Sequence, residues 1–178
     1  MKYARRPGSV GRKIAAAESG QAAVEFALIA GLMLVLFCMV VDFSRAIHDE
    51  QVMTGLSRQS SNLASRGTSL SDSAAAVIAG DSPLNLSGNG EVIITSVTNI
   101  NQVYTITDQV SEGGVSQNSR VGSGVGNTAS VPSSAAAMLQ PGQTIYITEI
   151  FYSYQPITPI QNLLKLAMPS TLYEAAYF

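Results

Sequence analysis

A chain of 178 residues has room for one modest domain and an anchor. Charged residues make up only 12%, the formal net charge is −2 and the pI is about 5.3, which excludes the concentrated basic surface that nucleic-acid binding requires. The single cysteine, Cys38, excludes an intramolecular disulfide, and with one histidine, His48, there is no Cys/His cluster to hold a metal, so no cofactor is expected.

The first element in the chain is a basic leader. Lys2, Arg5, Arg6, Arg12 and Lys13 are five of the ten Lys and Arg, all within the first thirteen positions. An apolar run follows from Gln21 to Val41, charged only at Glu25. At 1.5 Å per residue it spans roughly 31 Å of helix, close to the ~30 Å of a bilayer core. Basic residues precede it, and Asp42, Asp49 and Glu50 follow it. The positive-inside bias predicts a cytoplasmic N-terminus and a domain on the far side, the bacterial periplasm. A cleaved secretory signal would have a shorter apolar core and a small-x-small cleavage site, which VVDFSRA lacks. A plain single-pass anchor explains the length but not Glu25, because a carboxylate within hydrocarbon is costly.

Gly20 precedes Glu25 by five residues, and Phe26 follows, giving G-x-x-x-x-E-[FY] at the border between leader and apolar run. This pattern resembles the type IV prepilin processing motif. The resemblance implies that a prepilin peptidase cuts after Gly20 and that Gln21 supplies the new α-amine. Glu25, one helical turn on, would then pair with that amine or with the amine of an adjacent subunit and set axial register; otherwise it sits at the membrane edge and snorkels to water. Ala22, Ala23, Ala27, Ala30 and Gly31 form a small-residue patch that permits close helix approach.

Just past the span, Val41 to Ala46 read V-D-F-S-R-A. Together with G-Q-A-A-V-E-F-A-L-I from Gly20, this stretch resembles the TadE-like family of pseudopilins of the tight-adherence (Tad/Flp) pilus system. The anchor box covers roughly residues 19–61. Looser similarity continues in NSRVGSGVG (118–126), PGQTIYITEIFYSYQPITP (141–159) and LYEAAYF. The resemblance implies a minor pilin-like component needed for pilus assembly. Its partners would be the prepilin peptidase, other pilin-like subunits such as TadF-like proteins and the Flp pilin, and the inner-membrane assembly platform. The alternative is an unprocessed, membrane-anchored periplasmic module that docks on the Tad secretion complex. The organisation is therefore a leader (1–20), a transmembrane helix (21–42) and a periplasmic domain (43–178).

Beyond the membrane the helix continues, with Ala46, Ile47, Val52, Met53, Leu56, Leu63 and Ala64 at near-helical spacing and Gly67 as its C-cap. Asp42, Arg45 and Asp49 share one face. They predict an exposed local ion pair of about 0.2–0.5 kcal/mol, with an inter-subunit pair as the functional alternative. A short helix is predicted at Ser73–Ala79. Glu91–Thr98 and Gln102–Asp108 read as a hairpin joined at NIN, and Val110–Val131 as a flexible surface loop. Thr144–Tyr154 is the strongest strand, apolar on both faces and therefore central; Glu149 within it is expected to face outward, with a buried functional carboxylate as the alternative. Pro156 and Pro159 end it, a short helix follows at Ile160–Ala167, and Thr171–Phe178 form a last strand. Tyr104, Tyr146, Phe151, Tyr152, Tyr154, Tyr173, Tyr177 and Phe178 read as core and cross-strand pairs, with Tyr152, Tyr154 and Tyr177 mixed and a partner-binding patch as the alternative. The fold class is α+β: one long N-terminal helix, transmembrane then amphipathic, packed on a small antiparallel sheet in a pilin-like plan. No GxSxG, HExxH or SxxK pattern is present, so no enzymatic activity is expected.

Overall fold

The computed structural model of the chain describes residues 10–137, 139–164, 166 and 168–178. Of the leader, Lys2, Arg5 and Arg6 lie outside the described residues. A single helix, α1 (Val10–Ser65), runs through the leader junction, the apolar run and the amphipathic half without a break. It stops in a Schellman turn. Gly67, at φ 93°, donates its N–H to Ala64 O at 3.1 Å, and Thr68 donates to Leu63 O at 3.2 Å. Glycine is favoured there because an L side chain is strained at that φ.

The chain then reverses into α2 (Leu70–Ala79). This helix starts three residues earlier than the spacing predicts, because the Ser69 hydroxyl accepts the Asp72 N–H and caps its N-terminus. A short turn, α3 (Leu86–Asn89), leads into β1 (Gly90–Ile100) and β2 (Val103–Gly113). The hairpin loop is Asn101-Gln102, with both residues left-handed at φ 51° and 67°, the two-residue turn whose twist suits paired strands. Both strands are longer than expected. After α4 (Ser133–Ala136) come β3 (Thr144–Ser153), α5 (Gln161–Leu164) and β4 (Thr171–Tyr177). The sheet order is β2-β1-β3-β4 and every pair is antiparallel, so β3 is central as its sequence predicts.

Both faces of the sheet are covered, which explains a central strand apolar on two sides. On one face, Val92, Ile94, Ile150, Tyr152 and Leu172 pack with Ala46, Met53 and Ala64 of α1 and with Leu70, Ala74 and Val77 of α2. Ile47, assigned to this stripe by hydropathy, is instead exposed. On the other face, Val97, Ile106 and Ile147 pack with Val121 and Ala129.

The last two residues lie in the stretch expected to be a flexible loop. Residues 110–113 belong to β2, and the remainder closes over the sheet. The reason is a pair of buried carboxylates. Glu149 is fully buried, not outward-facing. It accepts hydrogen bonds from the Arg120 N–H at 2.9 Å, the Tyr173 hydroxyl at 2.9 Å and the Ser119 hydroxyl. Glu91, 6% exposed, accepts the Gln117 N–H. Gln109 adds bonds to Gly122 O at 2.9 Å and from the Gly124 N–H at 3.3 Å. A buried carboxylate needs such donors, and the backbone of 117–120 supplies them. Burial and the neighbouring Glu149 carboxylate push the Tyr173 phenol up from 10, so it stays a donor.

Candidate functional site: the anchor helix and its lock on the sheet

Helix α1 has two environments. From Gly20 to Val40 most side chains are exposed, with Phe26 72% and Phe37 67% exposed. The helix from Gly20 contains a stretch of mean hydropathy 2.7, none of it buried, long and apolar enough to cross a membrane. A helix that is apolar all round and bare of its own domain suits a lipid or helix-rich environment. Ala27 is exposed, and Gly31 has open space around it, so the small-residue patch is bare among the described residues.

At the leader junction Gly20 is helical, exposed and unhindered: a Cβ there would meet nothing within 4 Å. Glu25 is exposed and accepts a hydrogen bond from Gln21 Nε2 at 2.9 Å, one turn away. The spacing thus brings position 21 and the carboxylate together on one face.

From Asp42 onward the helix is docked. The buried positions are Asp42, Ala46, Asp49, Met53, Ser57, Ser60, Ser61 and Ala64, spaced three or four apart except at 60 and 61, which makes one stripe. Asp42 is fully buried, contrary to the exposed pair predicted from sequence. Its carboxylate accepts the Ile157 N–H at 3.0 Å and the Thr158 hydroxyl, and its backbone oxygen accepts the Tyr154 hydroxyl at 2.7 Å. The segment leaving β3 is thereby hooked to the helix where it exits the apolar span. Asp49 is also buried, at 3% exposed, and among the described residues neither its Oδ2 nor the buried Nη1 of Arg45 has a hydrogen-bond partner. Burial raises the Asp49 carboxyl above 3.8, against the opposing pull of Arg45 and His48. The same burial, with the Asp49 charge nearby, raises the Tyr152 phenol. Tyr152 and Tyr154 are core, whereas Tyr177 and Phe178 are exposed.

The sequence reading missed the serines. The Ser61 hydroxyl is wedged between β3 and β4: it accepts the Thr148 N–H at 3.1 Å and lies 2.9 Å from both Thr148 Oγ1 and Ala176 O. Hydropathy ranks Ser57, Ser60 and Ser61 as outward-facing. The signal that finds them is their i, i+3, i+4 spacing in line with Met53 and Ala64.

Residues 20–61 match the family model for TadE-like protein. The matched stretch begins at Gly20 and ends at the serine wedged into the sheet, so it covers the bare apolar run and all of the docked stripe but Ala64. It agrees with the resemblance carried by GQAAVEF and VDFSRA. Neither a search of curated proteins nor one of solved structures returns a match. The long apolar helix is consistent with a single-pass membrane anchor.

Proposed function

We propose that this TadE-like chain is a minor pilin-like component of Tad pilus assembly, inserted with its N-terminus in the cytoplasm and cut after Gly20 by a prepilin peptidase. The observation that carries the reading is the environment of Gly20. The fold has no use for a glycine at this position: the helix is continuous, the site is open, and alanine would stabilise the helix by about 0.5–1 kcal/mol. A peptidase site without room for a Cβ accounts for it. Cleavage would place a cationic α-amine at Gln21, on the face where Gln21 already reaches Glu25, so the exposed carboxylate gains a partner in the same or a neighbouring subunit. Ala27 and Gly31, bare in the chain, are the surface for close packing against other pilin-like subunits. Asp42 belongs to the lock that holds the periplasmic domain at a set height above the membrane. The role is structural rather than enzymatic.

Removing residues 1–20 would take away five Lys and Arg and one acid, Glu18. The side-chain charge would then go from −2 to −6, with 5 Lys and Arg against 11 Asp and Glu. Losing that cytoplasmic charge eases extraction of the helix from the bilayer. The test is the N-terminal sequence and intact mass of the protein from its native membrane, beside Gly20→Ala. A wild-type start at Gln21, with the variant left uncut, supports the proposal. A wild-type start at Met1 replaces it with an unprocessed, anchored binding module.

A further inference from the structure

The two edges of the sheet are treated differently. The β2 edge is partly closed by the chain itself: Ile106 donates to Asn127 O at 2.9 Å, Gly126 to Ile106 O at 2.8 Å and Ala129 to Tyr104 O at 2.7 Å. At the other edge β4 pairs with β3 alone among the described residues. Tyr146 and Phe178 exchange both backbone bonds, at 2.8 and 3.0 Å. In an antiparallel ladder this alternation turns Leu172, Glu174 and Ala176 toward β3 and aims the N–H and C=O of Tyr173, Ala175 and Tyr177 outward. An open row of donors and acceptors is a template for another strand.

The side chains of the same three residues line a cavity of about 320 Å³, together with Arg120, Val131 and Ile147. Most of its wall is apolar. The exposed Arg120 guanidinium lies 3.6 Å from the centre of the Tyr173 ring, and the Tyr177 hydroxyl is 2.8 Å from the Ser134 hydroxyl, which steadies the rim. From Gly67 to Leu164 Arg120 is the sole Lys or Arg. The stretch from Gly67 to Leu164 therefore presents its one cation beside an apolar cavity, at the strand edge that no other segment pairs with among the described residues.

We infer that the β4 edge is a strand-addition site for an extended segment of another protein chain, one that places an apolar side chain in this cavity and a carboxylate on Arg120. Backbone bonds to Tyr173, Ala175 and Tyr177 would give affinity, and the cavity and the cation would give register and specificity. A second copy of β4 does not fit: its one acid, Glu174, shares the face of Ile150 beneath α1, away from Arg120. The inference does not rest on cleavage after Gly20.

The test uses the full chain in lipid nanodiscs. Hydrogen exchange should show the Tyr173, Ala175 and Tyr177 amides exchanging faster than those of Leu172, Glu174 and Ala176. The binding probe is a panel of short synthetic peptides of alternating Val and Thr that carry one Asp, one Lys or no charge. The Asp peptide should bind roughly tenfold tighter than the uncharged one, as a charge-assisted contact allows. Arg120→Gln should erase that preference, and Arg120→Glu should turn it toward the Lys peptide. Ala175→Pro removes an outward N–H and no bond to β3, so it should abolish binding while the melting temperature holds. Protected edge amides in the free chain, or equal or absent binding across the panel, would overturn the inference. Self-association of the chain that Ala175→Pro removes would overturn it too, by making a second copy the occupant.

Discussion

Replacing Asp42 by Ala separates the two halves of the molecule at their junction. The carboxylate holds the Ile157 N–H and the Thr158 hydroxyl, both beyond the end of β3. Hydrogen bonds to an ionised acceptor contribute about 1.5–3 kcal/mol each. Ile157 is 64% exposed, so water can replace part of what it loses. The net cost should be about 2–4 kcal/mol. For a folded part of this size that lowers Tm by about 6–12 °C. The assay is thermal unfolding of the full chain in one detergent, followed by circular dichroism, beside limited proteolysis. Asp42→Ala should melt lower and be cut first between Tyr154 and Ile160, while Asp42→Asn, which keeps an acceptor, should fall in between. A melting temperature for Asp42→Ala within 1 °C of wild type, with unchanged cleavage, would refute the view that this carboxylate fastens the sheet to the helix.

Two further outcomes follow from the same stripe. Ser61→Ala leaves the Thr148 N–H and the Ala176 carbonyl without the hydroxyl that bridges them. It should cost about 1–3 kcal/mol, read as earlier exchange of the Thr148 amide, with the anchor and membrane insertion unaffected. Asp49 has a folded-state pKa above its ordinary 3.8. Its protonated form is the better fit to the fold, so that contribution is complete below 3.8 and is lost as pH rises through the raised value. Asp49→Asn should therefore unfold at a higher temperature than wild type at neutral pH and lose its advantage in acid; equal melting at both pH values would show that burial of this carboxylate costs nothing.

Local signals were sufficient wherever an element is specified by its own residues. The apolar run from Gln21 to Val41 sets a helix that can cross a membrane, because length and hydropathy alone decide it. Gly67 marks the helix end, since a left-handed cap needs no tertiary partner, and β3 shows its central position through apolar residues on both faces.

What only the tertiary structure decided concerns polar groups whose partners lie far along the chain. Asp42 meets residues 157 and 158, Ser61 meets residues 148 and 176, and Glu149 meets residues 119, 120 and 173. Hydropathy places an acid or a serine outside, because a lone polar group is costly to bury. That cost falls when donors converge on the group, and their convergence depends on how the chain closes. The stretch from Gly114 to Val131 reads as a loop for its glycines and serines. It becomes the cover of the second face because Glu91 and Glu149 bind its backbone, and no local pattern encodes that choice.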